Sequence, residues 1–258
     1  MTNPSNDELL FLALGGAGEI GMNLNLYGHA GKWLMIDLGI AFGDDSMPGV
    51  EVIMPDPVFI EERAKDLVGI VLTHAHEDHL GAVADLWPRL KAPVYATPFA
   101  ASVLRRKLTQ AGLLDAVRIT EIPLRGKFSL GPFDLEMVTM THSILEPNGL
   151  AIRTGLGTVF HTGDWKIDPE PLLGELTDEA LLKRIGDEGV LAMVCDSTNV
   201  FVEGEAGSEA TVRANLSKLL KGRKGRIAVT CFASNLARVE SIALAAVVIV
   251  AATLLLDW

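Results

Sequence analysis

Cysteine is almost missing from this 258-residue chain: Cys195 and Cys231 are the whole complement, and no CxxC pair occurs. That argues against a disulfide framework and against a cysteine-built zinc ribbon. Both thiols lie in apolar, strand-like runs and are expected to be reduced core residues. Positive charge is also scarce, with 22 Lys and Arg against 33 Asp and Glu and a formal net charge of -11. Broad, passive binding to nucleic acid is disfavoured, because phosphate contact needs local positive charge. An enzyme acting on nucleic acid stays open, since bound dications would offset acidic ligands locally. The opening residues, Met1 to Glu8, are polar and acidic rather than apolar, so no signal peptide is expected and the predicted location is cytoplasmic. No repeat at solenoid spacing is found. Histidine is sparse, six in all, and none follows His161.

What is present is a large apolar fraction, 49% of residues, enough for a sizeable core. An apolar run from Glu8 to Leu14 ends in Gly15-Gly16-Ala17-Gly18-Glu19-Ile20-Gly21. Asn23 to Tyr27 and Lys32 to Asp37 read as antiparallel strands turned at Gly28 and Gly31, and Asp44 to Pro57 reads as a loop. Leu67 to Thr73 reads as a buried strand. Leu80, Val83, Ala84, Trp87 and Leu90 then share a helical face. Thr97-Pro98 starts a helix that should stop at Gly112. Short strands follow around Val117 to Ile122, Phe133 to Met140, Leu150 to Arg153 and Thr158 to Phe160. Thr177 is read as the cap of a short helix and Val190 to Cys195 as a buried strand. Ser208 is read as the cap of a helix to Lys221, before a strand at Arg226 to Cys231. The order gives a layered α/β fold with a boundary near Gly204 to Gly207. The uncharged stretch Ser241 to Leu256 is short for a spanning helix and is expected to be core rather than a membrane anchor.

The chemistry concentrates in Thr73-His74-Ala75-His76-Glu77-Asp78-His79, directly after a buried strand. In extended backbone His74 and His76 point to one side. Asp78 and His79 sit where the chain turns into a helix. Such a turn can present nitrogen and oxygen ligands around two neighbouring positions, and imidazole with carboxylate suits zinc, manganese or iron. Glu77, between them, is expected to point away. His29, in a glycine-flanked turn, is expected to be exposed.

This stretch is similar to the HxHxDH signature of the metallo-β-lactamase superfamily. The resemblance implies an αβ/βα sandwich with metal bound at one edge. It implies that His74 and His76 bind one metal and Asp78 and His79 a second, with His142 as the next histidine ligand and Asp164 as the bridging carboxylate. Asp37, in Met35-Ile36-Asp37-Leu38-Gly39, fits the superfamily's aspartate near the site and is expected to accept a hydrogen bond from a ligand histidine. His161 could help orient the site or simply be a satisfied core histidine.

Further segments resemble the ribonuclease J family of β-CASP nucleases: Leu14 to Asn23, His161 to Asp168, Cys195-Asp196-Ser197-Thr198-Asn199 and Cys231-Phe232-Ala233-Ser234-Asn235. The similarity runs from about residue 9 to about residue 243. It implies metal-assisted hydrolysis of RNA phosphodiester bonds, exonucleolytic from the 5′ end or endonucleolytic, at two zinc ions. Asp78, Asp164 and Asp196 would be the catalytic carboxylates. Residues 8–205 would be the metallo-β-lactamase-like part, incomplete, and 206–258 the start of a β-CASP-like domain with a divergent apolar tail. RNA is the implied partner, and self-association is possible. The basic cluster Lys218, Lys221, Arg223, Lys224 and Arg226 either contacts RNA backbone or is a solvated helix end.

The family's later histidines have no counterpart here, which leaves the second metal short of one protein ligand. The chain is therefore read as a shortened member. Two other classes are a metallo-hydrolase for a small ester or thioester, and a non-catalytic form that binds RNA or pairs with an intact homologue. Purified 1–258 is expected to bind metal weakly, to show little processive exonuclease activity and to aggregate; full-rate RNA degradation lost on His76→Ala would overturn that expectation.

Overall fold

Alternation along individual strands builds the layers. The computed structural model describes residues 3–256 except 222 and 224, and only the backbone of 247–256. The first sheet has the order β1-β2-β3-β6-β7-β8: β1 (Leu9–Gly15), β2 (Leu24–His29), β3 (Lys32–Ile36), β6 (Leu67–Val71), β7 (Val94–Ala96) and β8 (Ile119–Glu121). A two-stranded ribbon pairs β4 (Ala41–Phe42), just before the stretch read as a loop, with β5 (Val52–Ile53) inside it. The second sheet has the order β13-β12-β11-β10-β9: β9 (Lys127–Leu130), β10 (Phe133–Thr139), β11 (Asn148–Thr154), β12 (Gly157–His161) and β13 (Ala192–Val194). On β3, Trp33 and Met35 face one way, into a core shared with Ile60 of helix α1 (Val58–Glu61) and with the helices α3 (Val83–Leu90) and α4 (Pro98–Gln110). Leu34 and Ile36 face the other way and meet Phe133, Leu135, Met137, Leu150 and Ile152 of the second sheet. Val138, Ala151 and Phe160 turn to the far side, against Ile185 of α5 (Glu179–Glu188). Period-two side-chain alternation thus yields helix, sheet, sheet and helix in succession, the αβ/βα sandwich that the sequence implied.

The ends of the parallel strands supply the site. β3 pairs parallel with β6, and β12 parallel with β13, so their C-terminal ends fall on common edges. The two sheets are tied at that edge by the Asn148 amide donating to the Thr73 carbonyl at 3.1 Å.

Several boundaries differ from the sequence reading. The expected helix from Leu80 is two pieces, α2 (Glu77–Leu80) and α3. The Ala82 amide donates to the Leu38 carbonyl, while the Asp78 carbonyl is taken by the Asn23 amide, so the helical ladder is interrupted there. Thr177 is not a cap; Asp178 accepts from the Leu181 amide, and the Thr177 hydroxyl instead accepts from the Thr141 amide. Ser208 does cap α6 (Glu209–Leu220). β9 was not foreseen. β13 is not buried: Leu191 and Met193 are exposed, because β13 is the edge of its sheet. No strand forms at Arg226 to Cys231 among the described residues, because no neighbouring strand is there to satisfy its backbone groups. Consequently Cys195 and Cys231 are free and exposed rather than core thiols.

Residues Leu236–Leu256 form α7, which joins α6 through Arg213–Glu240 at 2.7 Å and Arg213–Ser241 at 3.2 Å. Leu236 reaches the main core. Of the stretch Ser241 to Leu256 expected to be core, Ser241 and Ala245 are buried but Leu244 is exposed, and the side chains of Val247 to Leu256 lie outside the described residues. Among the described residues no helix is long and apolar enough to cross a membrane.

Gly39 marks the tightest backbone approach. A Cβ there would sit 1.7 Å from the Asp78 carbonyl oxygen and 2.0 Å from its carbon. Gly39→Ala is expected to lower stability by about 3 kcal/mol or more, since neither backbone can yield freely; urea unfolding checks this.

Candidate metal centre

The glycine-rich turn after β1 brings the first polar contact to the site. A Cβ on Gly15 would strike the Met22 carbonyl oxygen at 2.1 Å, and one on Gly16 the Asn23 side-chain oxygen at 2.2 Å. This close packing lays Asn23 across α2. Its side-chain amide donates to the Asp78 carbonyl at 3.0 Å and lies 3.2 Å from His79 Nε2. The sequence reading quoted the turn as a motif but gave Asn23 no role.

Asp37 follows β3 with a left-handed backbone, φ +63°, a strained conformation for a non-glycine residue. Its carboxylate is fully buried. Oδ1 accepts from the Thr73 amide at 2.8 Å; Oδ2 lies 2.9 Å from the Thr73 hydroxyl and 2.7 Å from His79 Nδ1. The bond to Nδ1 leaves His79 Nε2 facing Asp164 Oδ1 at 3.3 Å and Asp78 Oδ2 at 3.5 Å.

His74 and His76 follow β6, His142 follows β10 and Asp164 follows β12. His74 Nε2 lies 3.1 Å from His76 Nδ1, which lies 3.2 Å from His142 Nε2. Asp164 Oδ2 is 3.8 Å from His142 Nε2. Ligand atoms of His74, His76, His142 and Asp164 all lie within 4.8 Å of one another, as do those of Asp78, His79 and Asp164. The two groups therefore share Asp164.

The donor set fits a metal ion. Burial pushes His74 well below the usual histidine range. Burial and the neighbouring His142 bring His76 down to about 4, and burial lowers His142 although Asp164 opposes it. Three neutral imidazoles are in the protonation state a metal requires, and their ring nitrogens converge. Two nitrogens at about 2.05 Å from one tetrahedral ion lie about 3.3 Å apart, close to the spacings found. His76 Nε2 is buried without a hydrogen-bond partner among the described residues, so no acceptor among them draws this ring away from the cluster. At the second group the balance differs. Burial opposes charge on His79, but the carboxylates of Asp37, Asp164 and Asp78 hold it well above the usual value. Burial also opposes ionisation of Asp164, yet the His79 bond and the surrounding histidines bring its carboxyl down to about 2. A cation at this group would replace the proton that His79 holds.

Other predicted residues fall outside the two groups. The Asp196 amide donates to the Thr162 hydroxyl at 3.0 Å, and its Oδ1 accepts from Thr198 N at 2.8 Å and Oγ1 at 2.7 Å. Its charge still acts on His142. Glu77 turns to Lys107 at 2.7 Å, away from the histidines. His161 is buried and its Nδ1 meets the Tyr27 hydroxyl at 2.9 Å, a satisfied core histidine. His29 is not exposed: it is buried, with Nδ1 2.8 Å from the Glu8 carbonyl, because residues 3–8 fold back over the β2–β3 turn. Thr141 was missed altogether. Its carbonyl and hydroxyl hold the Lys166 backbone, so the loop carrying Asp164 is fastened beside His142.

A two-sheet sandwich with a histidine–aspartate cluster at its edge that could hold a metal defines the class of a metallo-hydrolase domain. Residues 40–193 match the beta-lactamase superfamily domain, and the chain belongs to that superfamily. Within it, the chain is similar to ribonuclease J. It is 49% identical over 245 residues to ribonuclease J of Sinorhizobium meliloti, covering 93% of this chain and 43% of that protein. It is 42% identical to ribonuclease J of Mycolicibacterium smegmatis (91% and 42% covered) and 36% to that of Thermus thermophilus (93% and 43%). The chain thus spans less than half the length of these relatives. A protein of unknown function from Enterococcus faecalis shares the fold, with a TM-score of 0.58 at 14% identity over 82% of this chain and 57% of that one.

Burial brings His161 down to about 4. The unfolded chain takes up this proton near pH 6.5 and the folded chain does not, so His161 favours the fold fully above pH 6.5 and progressively less down to about pH 4. The contribution is about 3 kcal/mol at most. His161→Gln is expected to flatten the fall in unfolding free energy between pH 6.5 and 4, as measured by urea titration against wild type.

Proposed function

We propose that this chain carries the metal centre of a ribonuclease that hydrolyses RNA phosphodiester bonds, as a 5′–3′ exonuclease, an endonuclease or both, at two zinc ions. The observation that carries the reading is the pair of ligand groups sharing Asp164, in a chain 49% identical to a ribonuclease J. His74, His76, His142 and Asp164 would hold one ion; Asp78, His79 and Asp164 would hold the other. Imidazole and carboxylate donors without thiolate suit zinc. Bound dications would supply Lewis acidity toward a phosphoryl oxygen and a water acidified to near-neutral pKa.

The protein's own part is orientation and charge. Asp37 fixes His79, and Asn23 and Gly39 clamp the α2 backbone that carries Asp78. Asp196, whose Oδ1 accepts from Thr198, would assist catalysis from its place near His142. RNA is the proposed partner despite the net charge of -11, since cations at the centre would offset the carboxylates where a phosphodiester lies. Lys218, Lys221, Arg223 and Arg226 are assigned to backbone contact; Lys224, predicted with them, lies outside the described residues. Residues 8–205 are taken as the metallo-β-lactamase-like part and 206–258 as the start of a β-CASP-like region.

The test uses zinc-loaded 1–258 with 5′-monophosphorylated RNA and, in parallel, an acyl-thioester. The low RNA cleavage expected of this chain should be lost on adding chelator and on His76→Ala, with zinc content falling together with activity. Hydrolysis of the thioester with RNA left intact would overturn the reading in favour of a small-molecule hydrolase.

A further inference from the structure

We propose that Thr73 is a positioning residue: it holds the His74 ring in the tautomer that leaves Nε2 free to ligate, using the carboxylate oxygen that also orients His79. The inference rests on the reading of the cluster as a metal centre.

The single proton of the Thr73 hydroxyl decides the tautomer. The Thr73 hydroxyl is buried, 2.9 Å from Asp37 Oδ2, 3.0 Å from His74 Nδ1 and 3.4 Å from His79 Nδ1, a ring nitrogen that already meets Asp37 Oδ2 at 2.7 Å. A hydroxyl has one proton to donate and two lone pairs to accept with, whereas an ionised carboxylate only accepts. Were the Thr73 proton directed at His74, its lone pairs would face Asp37 Oδ2 at 2.9 Å in a site closed to water. An unscreened contact of that kind costs more than the bond gained. The proton therefore goes to Asp37, and Thr73 Oγ1 can only accept from His74. That places the His74 proton on Nδ1 and the lone pair on Nε2, which points at His76 Nδ1 at 3.1 Å within the first ligand group.

Asp37 Oδ2 thus acts on both groups. It reaches His79 directly, at 2.7 Å, and His74 through Thr73. The rest of Thr73 has a separable role. Its Cγ2 lies 3.4 Å from where a Cβ on Gly163 would stand, so the methyl packs beside the residue before Asp164. Valine at 73 keeps that methyl and loses the hydroxyl; serine does the reverse.

The experiment uses metal-stripped full chain, zinc chloride titrated against a competing chromophoric chelator at one fixed pH, and 1H–15N ring spectra of the metal-free protein. Thr73→Val is expected to weaken one zinc equivalent by about 10–100-fold and spare the other. Thr73→Ser should stay near wild type, and Asp37→Asn should weaken both. In the ring spectra wild-type His74 should be the Nδ1–H tautomer, and Thr73→Val should shift it toward a mixture. Equal zinc affinity in wild type and Thr73→Val would overturn the inference, as would equal losses in the serine and valine variants, which would make Thr73 a packing residue only. Should Thr73→Val not fold, a wild-type His74 protonated on Nε2 overturns it alone. Failure of wild type to take up zinc would instead refute the metal-centre reading, while the His74 tautomer still decides the role of Thr73.

Discussion

The buried Asp37 carboxylate is the interaction on which the site depends. It is held by a strained left-handed backbone at the end of β3 and accepts from the Thr73 amide, the Thr73 hydroxyl and the His79 ring. The three donors come from two pieces of chain: the segment after β6 supplies both groups of Thr73, and α2 supplies His79. A buried charge without partners costs several kcal/mol, so the three donors and the carboxylate require one another. The neighbouring glycine makes the arrangement possible, because only a residue without Cβ lets the segment after Asp37 lie on the Asp78 backbone.

Around that point, strand direction does the assembling. His74 and His76, His142, Asp164 and Asp196 all follow the C-terminal ends of strands, in two different sheets. The parallel pairings β3–β6 and β12–β13 put those ends on common edges, and packing of Leu34 and Ile36 against Leu135, Met137 and Leu150 brings the sheets face to face. The outcome is two neighbouring electrostatic environments. One is dominated by burial and keeps three histidines neutral; the other is dominated by carboxylates and keeps His79 charged. Asp164 belongs to both groups, which is why one loop, fastened by Thr141, matters to each.

Where the sequence reading went astray, tertiary context was the cause. Val190 to Cys195 has the composition of a buried strand, but its place at a sheet edge exposes Leu191, Met193 and Cys195. Arg226 to Cys231 has strand composition and no strand beside it among the described residues, so its apolar side chains are exposed. His29 looked like a turn residue and is buried because the N-terminal segment covers it. The helix after His79 looked continuous and breaks at Ala82, whose amide is claimed by Leu38, more than forty positions earlier. Composition reports what a segment can bury; it does not report whether a partner arrives.

By itself the sequence determined the layered α/β class, through the period-two and helical patterns, and it marked the ligand-type residues, because four of them crowd into His74 to His79 after an apolar strand. It also singled out His142, Asp164 and Asp37 by their positions after apolar strands and their resemblance to a known pattern. Only the tertiary structure decided that Asn23 and Thr73 touch the candidate ligands His79 and His74, and that His161 turns away to Tyr27. Those facts depend on distances of about 3 Å between residues far apart in the chain. Such distances follow from how two sheets pack, which no local pattern encodes.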